Sequence, residues 1–295
     1  MHKRKPNQHI NGNDLAGTFP RFRSRMKHSD DNAWLDSNIK PPEGYDYDAL
    51  TDGLHPDQDA YRHWLIDIMG TYLFDQSHQQ RSVKLLEIGS ATATEIQHFL
   101  SRYGEMWPKT GADLEIHLLD IDPDLLANAA SNLNKFDAKN IRIYLWQGDI
   151  EELSNPQYKR VCSIPSDDTP LAFPSAFDLI YSQLTFHHFT RPVMEQALKS
   201  IYSSLNNKGC FILSDIFYTG IPFWDKMIWA RTLKQIGKMQ EEDRREFWFK
   251  HYFRDRERYV TRRDILRLMR RTGFYHAEIL QSSYDMATVA GIKNI

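Results

Sequence analysis

Residues 85–96 read LLEIGSATATEI, an apolar run that leads into an acidic residue, a glycine and a series of small side chains. This pattern predicts a buried strand, a tight turn and the start of a helix. In a doubly wound α/β fold, a turn of this kind lies where a nucleotide-like ligand binds. The ligand must approach the backbone closely, so the turn needs small residues. Gly89 is the single glycine of the stretch, whereas a dinucleotide fingerprint has three.

The composition is that of an ordinary globular protein, with 295 residues, of which 41% are hydrophobic and 26% charged. The formal net charge of -2 creates no field that would favour nucleic acid or a membrane. Cys162 and Cys210 suit neither a disulfide framework nor a zinc site. No apolar run approaches the roughly 20 residues that span a bilayer. We therefore expect a soluble, cytoplasmic protein with no membrane partner.

The chain divides into two regions of different character. Residues 1–58 lack sustained periodicity, and their basic residues are concentrated before their acidic ones. We expect a partly irregular N-terminal extension, which is as consistent with a lid over an active site as with a solvated tail. From Tyr61 to Leu73 the apolar residues follow helical spacing, so a folded domain is expected over residues 59–295.

Within this domain, strands and helices alternate. Short apolar strands separated by amphipathic helices indicate a parallel sheet that is covered on both faces. A helical and aromatic insert is expected at about residues 217–260, before a final helix and two closing strands. The predicted parallel strands are Val83–Ile88, Ile116–Leu119, Ile141–Trp146, Phe177–Tyr181 and Cys210–Leu213.

Polar residues stand at the carboxyl ends of these strands, which meet at one edge of a parallel sheet. Asp120 follows the second strand, where a carboxylate can accept the two hydroxyls of a ribose. Asp149 follows the third, where it can accept an adenine N–H. A pyrophosphate would bind at the helix N-terminus, which attracts anions, and the carboxylate of the nearby Glu87 would repel it. The sequence therefore favours a cationic nucleoside ligand over a dinucleotide.

These residues resemble the motifs of the class I S-adenosylmethionine-dependent methyltransferases, and the resemblance spans about residues 81–295. It implies an α/β fold with a seven-stranded, mostly parallel, doubly wound sheet. The expected strand order is 3-2-1-4-5-7-6, with the last strand antiparallel, and S-adenosyl-L-methionine is the implied cofactor. The motifs that carry it are Leu86–Ala91, Leu118–Pro123, Gln147–Ile150, Phe177–Phe189 and Leu205–Leu213.

The resemblance also implies which residues bind the cofactor. Ala91 and Ala93 stand where the family has glycines, and we expect their side chains to crowd the methionine moiety. No metal is expected, because Ser182 or Gln183 occupies the place where metal-dependent members carry Asp. The implied cofactor-binding residues are Glu87, Gly89, Ser90, Asp120, Ile121, Asp149, Ile150, Ser182 and Gln183.

The catalytic residues do not follow from the sequence. His187 and His188 lie just past the fourth strand and invite a general-base interpretation, and Asp215 ends the fifth strand. Paired histidines at this position occur in family members with many chemistries, so a structural role is the stronger interpretation.

The resemblance implies methyl transfer to a small-molecule acceptor. Aromatic residues in the insert suit an aromatic or apolar acceptor, and an excess of Lys and Arg over residues 231–271 suits an anionic one. Three alternatives stay open: an RNA methyltransferase, an enzyme that modifies the cofactor to a carboxy derivative, and a non-catalytic cofactor-binding partner. Nucleic acid is the less favoured partner, and the sequence determines neither the acceptor nor the oligomeric state.

Overall fold

A computed structural model describes residues 58–79, 82–136, 139–154, 158–166, 171–240, 242, 245–249 and 259–294. The predicted N-terminal extension and lid therefore lie outside the described residues, apart from residue 58. The main helices are α1 (Gln58–Ser77), α2 (Thr94–Tyr103), α3 (Pro123–Leu133), α4 (Arg191–Ser204), α5 (Pro222–Ile236) and α6 (Arg262–Thr272).

The strands form one sheet in the order β4-β3-β2-β1-β5-β6-β8-β7. Strands β3, β2, β1, β5 and β6 run parallel, whereas β8 is antiparallel to both of its neighbours. The strand bounds are β1 (Ser82–Ile88), β2 (Asp113–Asp120), β3 (Ile141–Gln147), β4 (Lys159–Ile164), β5 (Phe177–Gln183), β6 (Leu205–Ile216), β7 (Phe274–Ser283) and β8 (Met286–Lys293).

The expected order is confirmed, but the expected number of seven strands is wrong. Without β4, the observed order is the expected 3-2-1-4-5-7-6. The additional strand comes from an insertion at residues 151–176, where β4 pairs antiparallel with the edge of β3. Sequence periodicity did not reveal β4 because it lies at the edge of the sheet and is only partly buried, so it lacks an apolar signature.

Two apolar cores cover the two faces of the sheet, as a doubly wound fold requires. One lies beneath α1, α2 and α3 and contains Leu65, Phe99 and Leu126. The other lies beneath α4 and α6 and contains Leu198 and Leu268. Successive β-strand residues alternate between these cores, so the burial of each strand on both faces explains its continuous apolar run.

A third apolar cluster, which we call the cap cluster, joins the insert to the body of the fold. It contains Ile236 of α5 and the helical residues Trp248 and Phe249. These pack with Tyr61 of α1 and with Ile216, the last residue of β6. The insert therefore packs against the carboxyl end of the parallel sheet, where the ligand crevice of a doubly wound fold lies.

None of the helices in the described part of the chain combines the length and the apolar character needed to cross a membrane.

Candidate functional site

The turn after β1 requires glycine at its first position. Gly89 has a φ of +70°, a left-handed conformation, and its N–H donates to the Leu119 carbonyl at 2.8 Å. A Cβ atom at this position would collide with the Thr185 side chain, which belongs to the loop after β5. Two loops at the carboxyl edge thus approach each other across this glycine.

The same turn keeps a glycine-like backbone even where it carries alanine. Ala91 and Ala93 have φ values of +44° and +60°, both in the left-handed region that favours glycine. The Ala93 side chain is fully buried in the core beneath α1, α2 and α3. The sequence led us to expect crowding on the ligand side of the turn, but the Ala93 side chain faces the core instead.

Asp120 connects this turn to the end of β2. Its Oδ2 accepts the Ala91 N–H at 2.8 Å, and its Oδ1 accepts the Asp122 N–H at 2.9 Å. Burial raises the pKa of this carboxyl group. Each carboxylate oxygen retains a second lone pair, so two ribose hydroxyls can still be accepted. Asp122 takes the separate task of capping α3, through the N–H groups of Asp124 and Leu125.

Four polar side chains at the carboxyl ends of β1 and β5 have a buried atom that finds no hydrogen-bond partner among the described residues. We call them the unpartnered polar cluster. Glu87 and Tyr181 are direct neighbours in the pairing of β1 with β5. A buried polar atom without a partner costs about 1–3 kcal/mol, so such atoms are expected to meet a ligand or water. The four atoms are Glu87 Oε2, Ser90 Oγ, the Tyr181 hydroxyl and Gln183 Oε1.

The electrostatic state of Glu87 is unusual for a glutamate. Burial raises its pKa well above the ordinary value and the neighbouring Glu95 carboxylate raises it further, whereas the adjacent Tyr181 hydroxyl acts to lower it. Glu95 itself forms an ion pair with Arg62 of α1, with 3.3 Å between Nε and Oε1. A cation bound beside Glu87 would restore its charged form, so this position favours a positively charged ligand.

The segment after β3 is arranged around Asp149. Its Oδ1 accepts the Glu151 N–H at 3.0 Å and so caps a short 3₁₀ helix that begins at the buried Ile150. The Tyr158 hydroxyl donates to the Asp149 carbonyl at 2.8 Å. Asp149 therefore has a structural task, and its second carboxylate oxygen is the one that can face a ligand. Ile121 is half-buried between Asp120 and the cap of α3.

The two predicted residues at the end of β5 point to different sides of the sheet. The Ser182 hydroxyl is fully buried and donates to the Ile88 carbonyl at 2.9 Å, so it ties β5 to β1. Gln183 is half-buried and belongs to the unpartnered polar cluster. Of this pair, Gln183 is the side chain available to a ligand.

The predicted catalytic candidates are brought together at the ends of β5 and β6. His187 Nδ1 lies 2.7 Å from Asp215 Oδ1, and both side chains are buried. Asp215 Oδ2 also accepts the backbone N–H groups of Thr185, Phe186 and His187, at 3.2, 2.6 and 3.2 Å. Asp215 thus shapes the loop after β5 and fixes the His187 ring. The half-buried His188 ring lies against His187, with 4.0 Å between centroids.

Sequence reasoning missed several of these residues. Tyr181 lies within an apolar strand, and only the pairing of β1 with β5 places it beside Glu87. Thr185 becomes relevant through its contact with Gly89. Arg62 carried a signal, because it is a cation beside the apolar stripe of α1, but its partner Glu95 lies on another helix.

Comparisons with known proteins agree with this geometry. The family described as "Methyltransferase domain" matches residues 86–211, which run from within β1 to within β6 and include most of the site. No curated protein matches the chain. Residues 86–211 thus match a methyltransferase domain, which supports the resemblance to the class I S-adenosylmethionine-dependent methyltransferases.

Solved structures share the fold of this methyltransferase domain. One is that of the DszA carbon methyltransferase, with a TM-score of 0.51, 12% identity, and coverage of 80% of this chain and 54% of that one. Another is a protein from Bordetella parapertussis titled as a possible exported protein, with a TM-score of 0.52, 12% identity, and coverage of 80% and 68%. This chain spans about half the length of the first of these proteins.

The methyltransferase-domain match over residues 86–211 supports the predicted enzyme class and the predicted cofactor, S-adenosylmethionine. The residues present fit that cofactor, because a cation-favouring glutamate and three further unpartnered polar groups lie beside the β1 turn. Asp120, the predicted ribose acid, lies at the end of β2. In the described part of the chain, no three His, Cys, Asp or Glu side chains are grouped as a metal site would need.

Proposed function

We propose that this chain transfers a methyl group from S-adenosylmethionine to a small-molecule acceptor held beneath the helical insert. The observation that carries the proposal is the cap cluster, which puts Trp248, Phe249 and Tyr61 against the end of β6. Leu184, at the end of β5, and Tyr259 pack against the same cluster. Aromatic side chains over the carboxyl edge of the sheet suit an acceptor with an apolar or aromatic body.

The cofactor supplies an activated methyl group, so the task of the chain is mainly to bind and orient. In the proposed complex, Asp120 holds the ribose, and Asp149 with the Ile150 backbone holds the adenine. Glu87 and Gln183 face the charged methionine end. The rigid turn at Gly89, fixed by the Leu119 carbonyl, sets the position of these groups relative to each other.

His187 is the proposed general base where the acceptor must lose a proton. Donation of Nδ1–H to Asp215 makes Nε2 the basic nitrogen and fixes the ring orientation. The Tyr259 ring stands edge-on to His187, with 6.1 Å between centroids, and belongs to the periphery of the cap cluster. This contact supports a location of His187 at the acceptor side of the site.

The proposal is tested with methyl-tritiated S-adenosylmethionine and a cell extract separated into small molecules, RNA and protein. Label is expected in the small-molecule fraction. Label in RNA would establish the RNA alternative, a changed mass of the cofactor would establish the cofactor-modifying one, and binding without transfer would establish the non-catalytic one.

Variants locate the acceptor within the chain. Trp248→Ala is expected to reduce transfer about tenfold or more with little change in cofactor affinity, because it alters the cap cluster alone. The matched control is Tyr275→Ala, an exposed aromatic residue of β7 that is expected to retain full activity. His187→Gln is expected to remove the acidic limb of the pH profile of kcat. Equal losses of cofactor affinity and transfer in Trp248→Ala would place the cluster outside the acceptor site.

A further inference from the structure

An exposed apolar surface marks the beginning of α5. Ile221, Phe223, Trp224 and Met227 are 52%, 62%, 53% and 54% exposed. We call these four residues the α5 tip. Large apolar side chains that are exposed singly are normal, but a contiguous group of them marks an interaction surface.

The helical period separates the α5 tip from the buried side of the helix. At about 100° per residue, Phe223, Trp224 and Met227 lie within one arc that continues through Arg231 and Lys234. The opposite face carries the buried Thr232 and Ile236. One side of α5 thus packs into the cap cluster, and the other presents an apolar end followed by cations.

Between residues 221 and 240, the charged side chains are mostly positive. Residues 221–240 contain four cations, Lys226, Arg231, Lys234 and Lys238, and one acidic residue, Asp225. The Asp225 carboxylate is occupied within the chain, because its Oδ1 accepts the backbone N–H and the hydroxyl of Thr219, each at 2.7 Å. With four cations and one acid, residues 221–240 carry a net positive charge.

A further aromatic residue extends the surface. Tyr284, in the turn between β7 and β8, is 47% exposed. The Arg231 guanidinium lies over its ring, 4.6 Å from the centroid. This contact holds one cation and one aromatic ring side by side next to the α5 tip.

We propose that the α5 tip docks on the surface of an anionic lipid bilayer. Aromatic and aliphatic side chains that enter the headgroup region, with Lys and Arg beside them, are the arrangement that binds such a surface without crossing it. The cations are complementary to anionic headgroups. A second copy of this chain fits less well, because a two-fold contact would bring the same lysines against each other. This surface departs from the expectation of no membrane partner, since only the fold gathers the residues that form it.

The docking bears on the acceptor, and this part rests on the proposed function. Helix α5 carries the α5 tip at its start and contributes Ile236 to the cap cluster. A docked enzyme would therefore hold its acceptor site next to the bilayer. The acceptor class that follows is a lipid-soluble molecule with an apolar or aromatic body, supplied from the membrane.

The experiment is co-sedimentation of the full chain with vesicles, without cofactor or acceptor. Vesicles of phosphatidylcholine alone are compared with vesicles that also contain phosphatidylserine. Wild-type chain is expected to sediment with the anionic vesicles and to be released by high salt. The double variant Phe223→Ser/Trp224→Ser is expected to lose about tenfold or more in partitioning. The matched control, Tyr275→Ser/Ile279→Ser, changes two exposed residues of β7 and is expected to bind as wild type.

Thermal unfolding and calorimetry with S-adenosylmethionine distinguish a loss of vesicle binding from a loss of folding or of cofactor binding. The double variant is expected to retain the melting temperature and cofactor affinity of wild type, since its side chains are exposed. Absence of wild-type sedimentation, or equal sedimentation of wild type and double variant, would overturn the docking. So would a change from dimer to monomer in the double variant, which would assign the α5 tip to a protein contact. Vesicle binding without any methyl transfer would leave the docking intact and overturn the proposed function.

Discussion

Two buried acids at opposite ends of the site differ in how their carboxylate oxygens are hydrogen-bonded. At the end of β6, Asp215 is fully buried and both of its oxygens accept hydrogen bonds, from backbone N–H groups and from the His187 ring. At the β1 turn, Glu87 is equally buried, yet its Oε2 has no partner among the described residues. Burial alone therefore does not define the role of an acid. The role depends on whether its carboxylate oxygens have hydrogen-bond donors within the protein.

The difference separates scaffold from binding surface. Asp215 holds the loop after β5 in shape, so it builds the site without offering an oxygen to a ligand. Glu87 has a raised pKa and an oxygen without a hydrogen-bond partner among the described residues, so a bound cation would stabilise its charged form. Natural proteins leave few buried polar groups without partners, and those few are expected at functional sites.

The largest effect is expected from Asp215→Ala. This substitution removes one acid and leaves several buried N–H groups without an acceptor, so the free energy of unfolding is expected to fall by about 3–5 kcal/mol. Urea denaturation measures the loss. Asp225→Ala is the control, because that half-buried aspartate accepts hydrogen bonds from the Thr219 backbone N–H and hydroxyl, and its removal is expected to cost about 1 kcal/mol. A loss for Asp215→Ala no larger than the control's would contradict the scaffold role.

The next effect is expected from Asp120→Ala. Cofactor affinity is expected to fall about tenfold or more, because charged hydrogen bonds to the ribose are lost. Isothermal titration calorimetry measures this. The control is Asp122→Ala, two residues away, which removes the α3 cap and is expected to cost about 1 kcal/mol of stability without changing affinity. Unchanged affinity in a folded Asp120→Ala protein would remove Asp120 from the ribose site.

A smaller effect is expected from the protonation of Glu87. Its folded pKa is raised, so above its ordinary pKa the folded state holds more protons than the unfolded state, and stability declines as the pH rises. Glu87→Gln is expected to remove this decline. A cationic cofactor favours the charged form, so binding is expected to release a proton and to tighten with rising pH.

Calorimetry in two buffers of different ionisation enthalpy measures that proton release. The exposed Glu105→Gln serves as control and is expected to leave the release unchanged. If wild-type protein binds the cofactor without releasing a proton, Glu87 is a satisfied structural acid, and the contrast with Asp215 disappears.

The smallest effect is expected from Ala91→Gly. Relief of the left-handed backbone conformation is expected to raise the free energy of unfolding by up to about 1 kcal/mol, partly offset by the greater flexibility of glycine in the unfolded chain. Differential scanning calorimetry follows the change. Ala93→Gly is the matched control and is expected to show no gain, because its buried methyl group also contributes packing. A loss of stability in Ala91→Gly would show that its methyl group makes a compensating contact.

Much of the fold could be predicted from the sequence, because each buried parallel strand is a continuous apolar run. The strand β1, predicted at Val83–Ile88, is observed at Ser82–Ile88, one residue longer. The final helix that the sequence predicted is α6, and the Thr261 hydroxyl caps it by accepting the Asp264 N–H. β4 was not predicted, because a half-buried edge strand carries no such pattern.

The candidate site was predicted only in part, because some of its contacts join segments that are distant in the sequence. Asp120 and Gly89 follow directly from their position after a strand. The task of Ser182, which donates inward to Ile88, depends on which strand lies next to β5. The pairing of His187 with Asp215 joins the loop after β5 to a residue of β6 that lies 28 positions further along the chain.

By itself, the sequence predicted the order of strands and helices apart from β4, the acids at the carboxyl edge and the resemblance to a methyltransferase family. These are local properties, because apolar periodicity and the residue after each strand can be read along the chain. Only the tertiary structure decided which acid is satisfied and which is not, and which aromatic residues of the insert are buried or exposed. Hydrogen-bond partners and packing neighbours come from distant segments, so these properties exist only after the sheet has assembled.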